Sequence, residues 1–138
     1  MSIAFIGAGN LATNLAKALY RKGFRIVQVY SRTKESAQEL AQTVEAAYTT
    51  ELQAVTKEAQ LYIVSLKDAA FVELLPQIVS GKENALWVHT AGSIPMNIWQ
   101  GHVARYGVLY PAPFGPTKPY IAPLDICIFT SSTTILSL

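Results

Sequence analysis

Gly7, Gly9 and Ala12 stand in the spacing G-x-G-x-x-A within the stretch IAFIGAGNLATNLAKAL, residues 3–19. That spacing suits a pyrophosphate. Gly7 lets the chain turn sharply off a strand, Gly9 leaves room for the anion against the backbone, and Ala12 lets a helix pack close to that strand. The anion would rest at the helix N-terminus, against backbone N–H groups and the positive end of the helix dipole. Gly7, Ala8, Gly9, Asn10 and Leu11 are therefore the candidate contacts for a dinucleotide.

About 20 residues past such a turn, an Asp or Glu accepts hydrogen bonds from the ribose when the ligand is NAD. Here the position falls on Tyr30-Ser31-Arg32-Thr33-Lys34, which holds no carboxylate. Ser31 and Thr33 can donate hydroxyl hydrogen bonds to a 2′-phosphate, and the Arg32 guanidinium can pair with it and lie against an adenine. The reading is NADP(H) in preference to NAD(H). The plainer alternative makes Arg32 and Lys34 solvated residues leading into a helix. A third group, His89-Thr90-Ala91-Gly92-Ser93, follows a predicted strand. His89 is a candidate proton donor there, and Thr90 and Ser93 are candidates to orient a substrate. Alternatively His89 is a hydrogen-bonded structural residue and Ser93 caps a helix that begins at Ile94-Pro95.

The elements that must hold these groups alternate. Apolar runs at Ile3–Ile6, Ile26–Tyr30, Leu61–Leu66 and Ala85–His89 read as strands, with a short one at Ala46–Thr49 and a last regular one at Gly107–Tyr110. Leu11, Leu15 and Leu19 form a helical stripe, and Gly23 stops that helix. Thr33 is placed to cap a second helix with Ala37, Leu40, Ala41 and Val44 on its inner face. Glu51–Glu58 reads as a short helix. Asp68 is placed to cap another, carrying Phe71, Leu74 and Leu75, which Pro76 should end or kink. Residues from Ile94 to Arg105 read as partly helical. This order predicts an α/β, Rossmann-like, doubly wound parallel sheet in three layers, forming a single domain.

At 138 residues, 51% hydrophobic and 14% charged, the chain has enough apolar surface for one core and does not read as disordered. A net charge of +2 with scattered Lys and Arg gives no reason to invoke nucleic acid. One cysteine, Cys127, excludes an internal disulfide, and two histidines without a CxxC argue against a metal site. No run approaches the ~20 apolar residues of a membrane span, and Met1 leads straight into a strand. The expectation is a cytoplasmic protein that does not engage membranes.

Three segments, FIGAGNLATNLAKAL (5–19), YIVSLKDAAF (62–71) and VHTAGSIPM (88–96), carry a resemblance. The chain resembles the N-terminal half of NADP-dependent oxidoreductases related to pyrroline-5-carboxylate reductase and to the 6-phosphogluconate and β-hydroxyacid dehydrogenases. It is most similar to a bacterial branch with a C-terminal domain of unknown function. The resemblance implies that residues 1–110 form an NADP-binding domain, and that Ser65, Leu66 and Lys67 pass beside the nicotinamide ribose. Lys67 alone would otherwise read as a surface lysine. It implies hydride transfer with a small carbonyl, imine or hydroxy acid. The alternative is a non-catalytic NADP-binding sensor or regulatory module.

Residues 111–138 depart from the pattern. Tyr110-Pro111 fits the family, but Ala112-Pro113 replaces its usual Met-Gln, and a proline-rich run follows. No helical second domain is present in this sequence, so 111–138 read as the remnant of a longer chain. Ile126–Phe129 reads as one more strand. An uncharged, β-prone ending predicts pairing with another copy, a homo-oligomer formed through the C-terminal segment.

Overall fold

The computed structural model describes residues 2–90, 96–111, 126–129 and 134–137. Eight strands form one sheet in the order β3-β2-β1-β4-β5-β6-β7-β8. They are β1 (Ser2–Ile6), β2 (Arg25–Tyr30), β3 (Ala47–Thr49), β4 (Leu61–Val64), β5 (Leu86–His89), β6 (Arg105–Pro111), β7 (Ile126–Phe129) and β8 (Thr134–Ser137). β1 to β6 pair in parallel, and β7 and β8 add to the edge antiparallel. Three helices, α1 (Asn10–Arg21), α2 (Lys34–Thr43) and α3 (Asp68–Val79), connect the parallel strands. This is the doubly wound Rossmann-like arrangement that the sequence predicts.

The strand sequences explain the layers. β1, β4 and β5 are apolar without alternation because both of their faces are covered. Ile3, Phe5, Leu61, Ile63 and Val88 pack with Ala12, Leu15, Ala16 and Leu19 of α1 and Leu40 and Ala41 of α2. Ala4, Ile6, Tyr62, Val64 and Trp87 face the other way, against Phe71, Leu75, Ile78 and Val79 of α3 and against Trp99. Between Ile3/Ile26 and Ala4/Gln28 the β1–β2 register slips by one residue. The bulge turns Gln28 toward the 52–56 segment. Its Oε1 accepts the Thr56 N–H at 2.6 Å and its Nε2 donates to the Ala54 carbonyl at 3.1 Å.

Several expectations need correcting. The stripe of α1 keeps Leu15 and Leu19 but runs through Ala12 and Ala16, and Leu11 is exposed, because each four-residue step drifts by about 40° round a 3.6-residue helix. Pro76 neither ends nor divides α3. The carbonyl it leaves without an i+4 donor belongs to Val72, a residue on the exposed side of the helix. The N-cap of α3 is Lys67, with Asp68 in the first turn. Within Glu51–Glu58 the helix shrinks to a 3₁₀ turn at Leu52–Ala54, whereas the partly helical reading of Ile94–Arg105 holds, with a 3₁₀ turn at Met96–Trp99 among its described residues. β8 lies in the β-prone ending and pairs with β7 of the same chain.

Candidate functional site

The site is built where β1, β2 and β4 end. The chain leaves β1 through Gly7, whose φ is +118°, and the Gly7 N–H donates to the Tyr30 carbonyl at 2.7 Å. That bond ties the turn to the end of β2. The other side of Gly7 is closed by β4: a Cβ here would lie 2.3 Å from the Ser65 carbonyl oxygen. Glycine is therefore required twice over, by backbone angle and by close approach.

Gly9 differs. Its φ of −76° is open to any residue, and a Cβ there would meet nothing within 4 Å. The side of Gly9 that a side chain would occupy is open space. α1 begins immediately after it with no side-chain cap and no acidic residue in its first turn. An uncapped N-terminus beside an open glycine fits an anionic group.

A groove of about 260 Å³ runs past this turn, walled by Gly7, Ala8, Gly9, Ser31, Arg32, Ser65, Leu66, Lys67 and Ala70. Eight of these nine are sequence-predicted cofactor contacts. Ala70 also walls the groove, and nothing in the sequence distinguishes an alanine that does so from one that packs a helix. Asn10 lines an adjoining polar hollow with Ala8, Thr13 and Lys17. Thr33 is the N-cap of α2, and its own N–H donates to Ser31 Oγ at 3.2 Å. That bond fixes the Ser31 hydroxyl at the rim. Beyond Arg32 the groove continues over Tyr30, Leu52, Ala70, Glu73 and Leu74.

His89 sits elsewhere. It closes β5 on the α3 face, is fully buried, and is not among the groove walls. Its Nδ1 accepts the Trp99 indole N–H at 2.9 Å, and its ring lies 5.2 Å from Phe71. An imidazole that accepts at Nδ1 carries its proton on Nε2 when neutral. Thr90 is half-buried, and its N–H donates to the Val64 carbonyl at 3.1 Å, joining the ends of β4 and β5. Ser93, Gly92 and Pro95 lie outside the described residues. Among the described residues no group of three potential ligands could hold a metal ion, and no helix is long and apolar enough to cross a membrane.

A parallel sheet with a glycine turn, an open helix N-terminus and a polar rim at the end of β2 defines a dinucleotide-binding Rossmann-like domain. Residues 2–91 match the family described as NADP oxidoreductase, coenzyme F420-dependent. The chain belongs to that family, and the NADP(H) expectation drawn from residues 31–33 agrees with it. An NADP oxidoreductase structure from Bacteroides fragilis is 76% identical, with a TM-score of 0.78, over 80% of this chain and 43% of that one. A pyrroline-5-carboxylate reductase from Coxiella burnetii superposes with TM-score 0.65 at 20% identity, over 79% of this chain and 43% of that one. An imine reductase from Myxococcus stipitatus, in complex with NADP+, gives 0.67 at 20%, over 79% and 40%. The chain thus spans less than half the length of the structures it resembles. No curated protein matches it.

Proposed function

We propose that this chain forms the NADP(H)-binding part of an oxidoreductase acting on a small carbonyl, imine or hydroxy-acid substrate. The observation that carries the reading is the convergence of Gly7–Gly9, Ser31-Arg32 and Ser65–Lys67 on one groove. When bound, the nicotinamide supplies the hydride chemistry. The protein's part is to bind and orient. The backbone at Gly9, Asn10 and Leu11 would receive the pyrophosphate. Ser31 Oγ and the Arg32 guanidinium would take the 2′-phosphate, and the half-apolar continuation past Arg32 suits an adenine. Ser65, Leu66 and Lys67 would flank the nicotinamide ribose. His89, held in place by Trp99, would position the Thr90 loop next to the substrate.

NADPH consumption tested against a panel of carbonyls and imines, with coenzyme F420 included because the family's description names it, checks this reading. The expectation is turnover once the remainder of a full-length relative is supplied in trans or by fusion. Tight NADPH binding without turnover against every member of the panel would instead favour the sensor reading.

A further inference from the structure

A second concavity lies at the other end of the sheet, remote from the cofactor groove. It opens at the N-terminal ends of β4, β5 and β6, has a volume of about 470 Å³, and is lined by Lys57, Lys82 and Arg105 with no carboxylate among its walls. That size falls within the ~300–1,000 Å³ range of small-molecule sites.

The cations are placed by the fold. Lys82 is only 6% exposed. Its backbone cannot swing away, since its N–H donates to the Val79 carbonyl and its carbonyl accepts the buried Trp87 indole N–H, both at 2.9 Å. Its Nζ, with three protons to donate, gives one to the Ser80 carbonyl at 3.1 Å. Lys57 reaches in over Gly81, whose φ is +78°. A Cβ at Gly81 would stand 3.1 Å from both Cε and Nζ of Lys57. The missing side chain leaves room for the Lys57 amine, whose charge is felt at Lys82. Arg105 is steadied at the rim by donating to the Asn84 carbonyl at 2.9 Å. The adjacent carboxylate, Glu83, accepts the Gly81 N–H at 3.3 Å and is not part of the wall.

Like charges gathered round a partly desolvated hollow repel one another, and an anion between them reverses the sign of that interaction. Burial first, and the charge of Lys57 second, push the Lys82 amine below the usual lysine range, with Glu83 opposing. We propose that this concavity is a second ligand site, which binds a phosphate dianion, either free or carried as the monoester of a small metabolite. Lys57, Lys82 and Arg105 would be the groups that take its oxygens.

The test is amide chemical-shift titration of the full 138-residue chain with inorganic phosphate and, separately, ribose 5-phosphate, at ionic strength held constant with chloride. Saturable shifts are expected at Gly81, Lys82, Asn84 and Leu86, with or without NADPH present. Lys57→Met and Lys82→Met should each weaken binding at least ~10-fold, a change worth about 1.4 kcal/mol. Tighter binding of the sugar phosphate identifies a monoester as the ligand, and equal or weaker binding identifies free phosphate. Shifts confined to Gly9–Leu11, a matching response to chloride alone, or undiminished binding by the variants would overturn the proposal. Lys57 is exposed, so its variant keeps the test open should Lys82→Met fold poorly.

Discussion

Gly7 and Gly9, two residues apart, do opposite things. Gly7 is required by the protein, and Gly9 is left open for the ligand. Gly7→Ala drives a methyl group into the Ser65 carbonyl at a backbone angle that L-residues avoid. A loss of at least ~2 kcal/mol is expected by urea denaturation. Gly9→Ala meets no protein atom, so stability should change by less than ~1 kcal/mol. NADPH affinity should nevertheless fall at least ~10-fold, or about 1.4 kcal/mol. Equal destabilisation by the two changes would contradict the distinction. The sequence motif already gives them different tasks, a sharp turn at Gly7 and room for an anion at Gly9. What it does not show is the close approach at Gly7, because β4 and the Ser65 that follows it come from more than 50 residues further along the chain.

At the scale of elements, the Trp99–His89 hydrogen bond ties the 96–99 turn to the end of β5. Trp99→Phe keeps a ring in the cluster with Phe71 and Trp87 but leaves His89 Nδ1 without that donor. The expected loss is ~1–3 kcal/mol in chemical denaturation, the usual penalty for an orphaned buried acceptor. A change within error would show that the bond does not hold the turn. The elements themselves were legible wherever one signal dominated. The both-faces-buried strands β1, β4 and β5 and the stripe of α2 read directly from apolar runs and spacing. What could not be read was decided by surroundings. Pro76 is accommodated within α3, on a stretch whose residue four positions earlier, Val72, is exposed. The 52–54 turn is held short by Gln28, whose aim depends on a bulge no periodicity reveals. His89 sits at a strand end, as catalytic groups often do, yet its burial depends on a tryptophan ten residues later.

Across the whole molecule, the two ends of the sheet carry different electrostatics. At the N-terminal end, Lys82 is less readily protonated in the folded chain than in the unfolded one, chiefly through burial. Between its lowered pKa and the ordinary lysine value the unfolded chain binds more protons. Stability from this group therefore rises with pH through that window, and its penalty is fully present below it. Lys82→Met should raise the melting temperature at pH 7 in anion-free buffer, with the advantage shrinking as pH approaches the ordinary lysine value. An advantage independent of pH would point to packing instead of charge.

At the C-terminal end of the strands, we propose that the rim formed by Ser31 and Arg32 selects the phosphorylated dinucleotide. The direct measurement is a pair of dissociation constants, NADPH against NADH, for the native chain and for Arg32→Asp. A charge-assisted contact of ~1.5–3 kcal/mol corresponds to a preference for NADPH of roughly 10- to 150-fold, and Arg32→Asp should abolish it. Equal affinities in the native chain, or a preference that survives the substitution, would contradict the account.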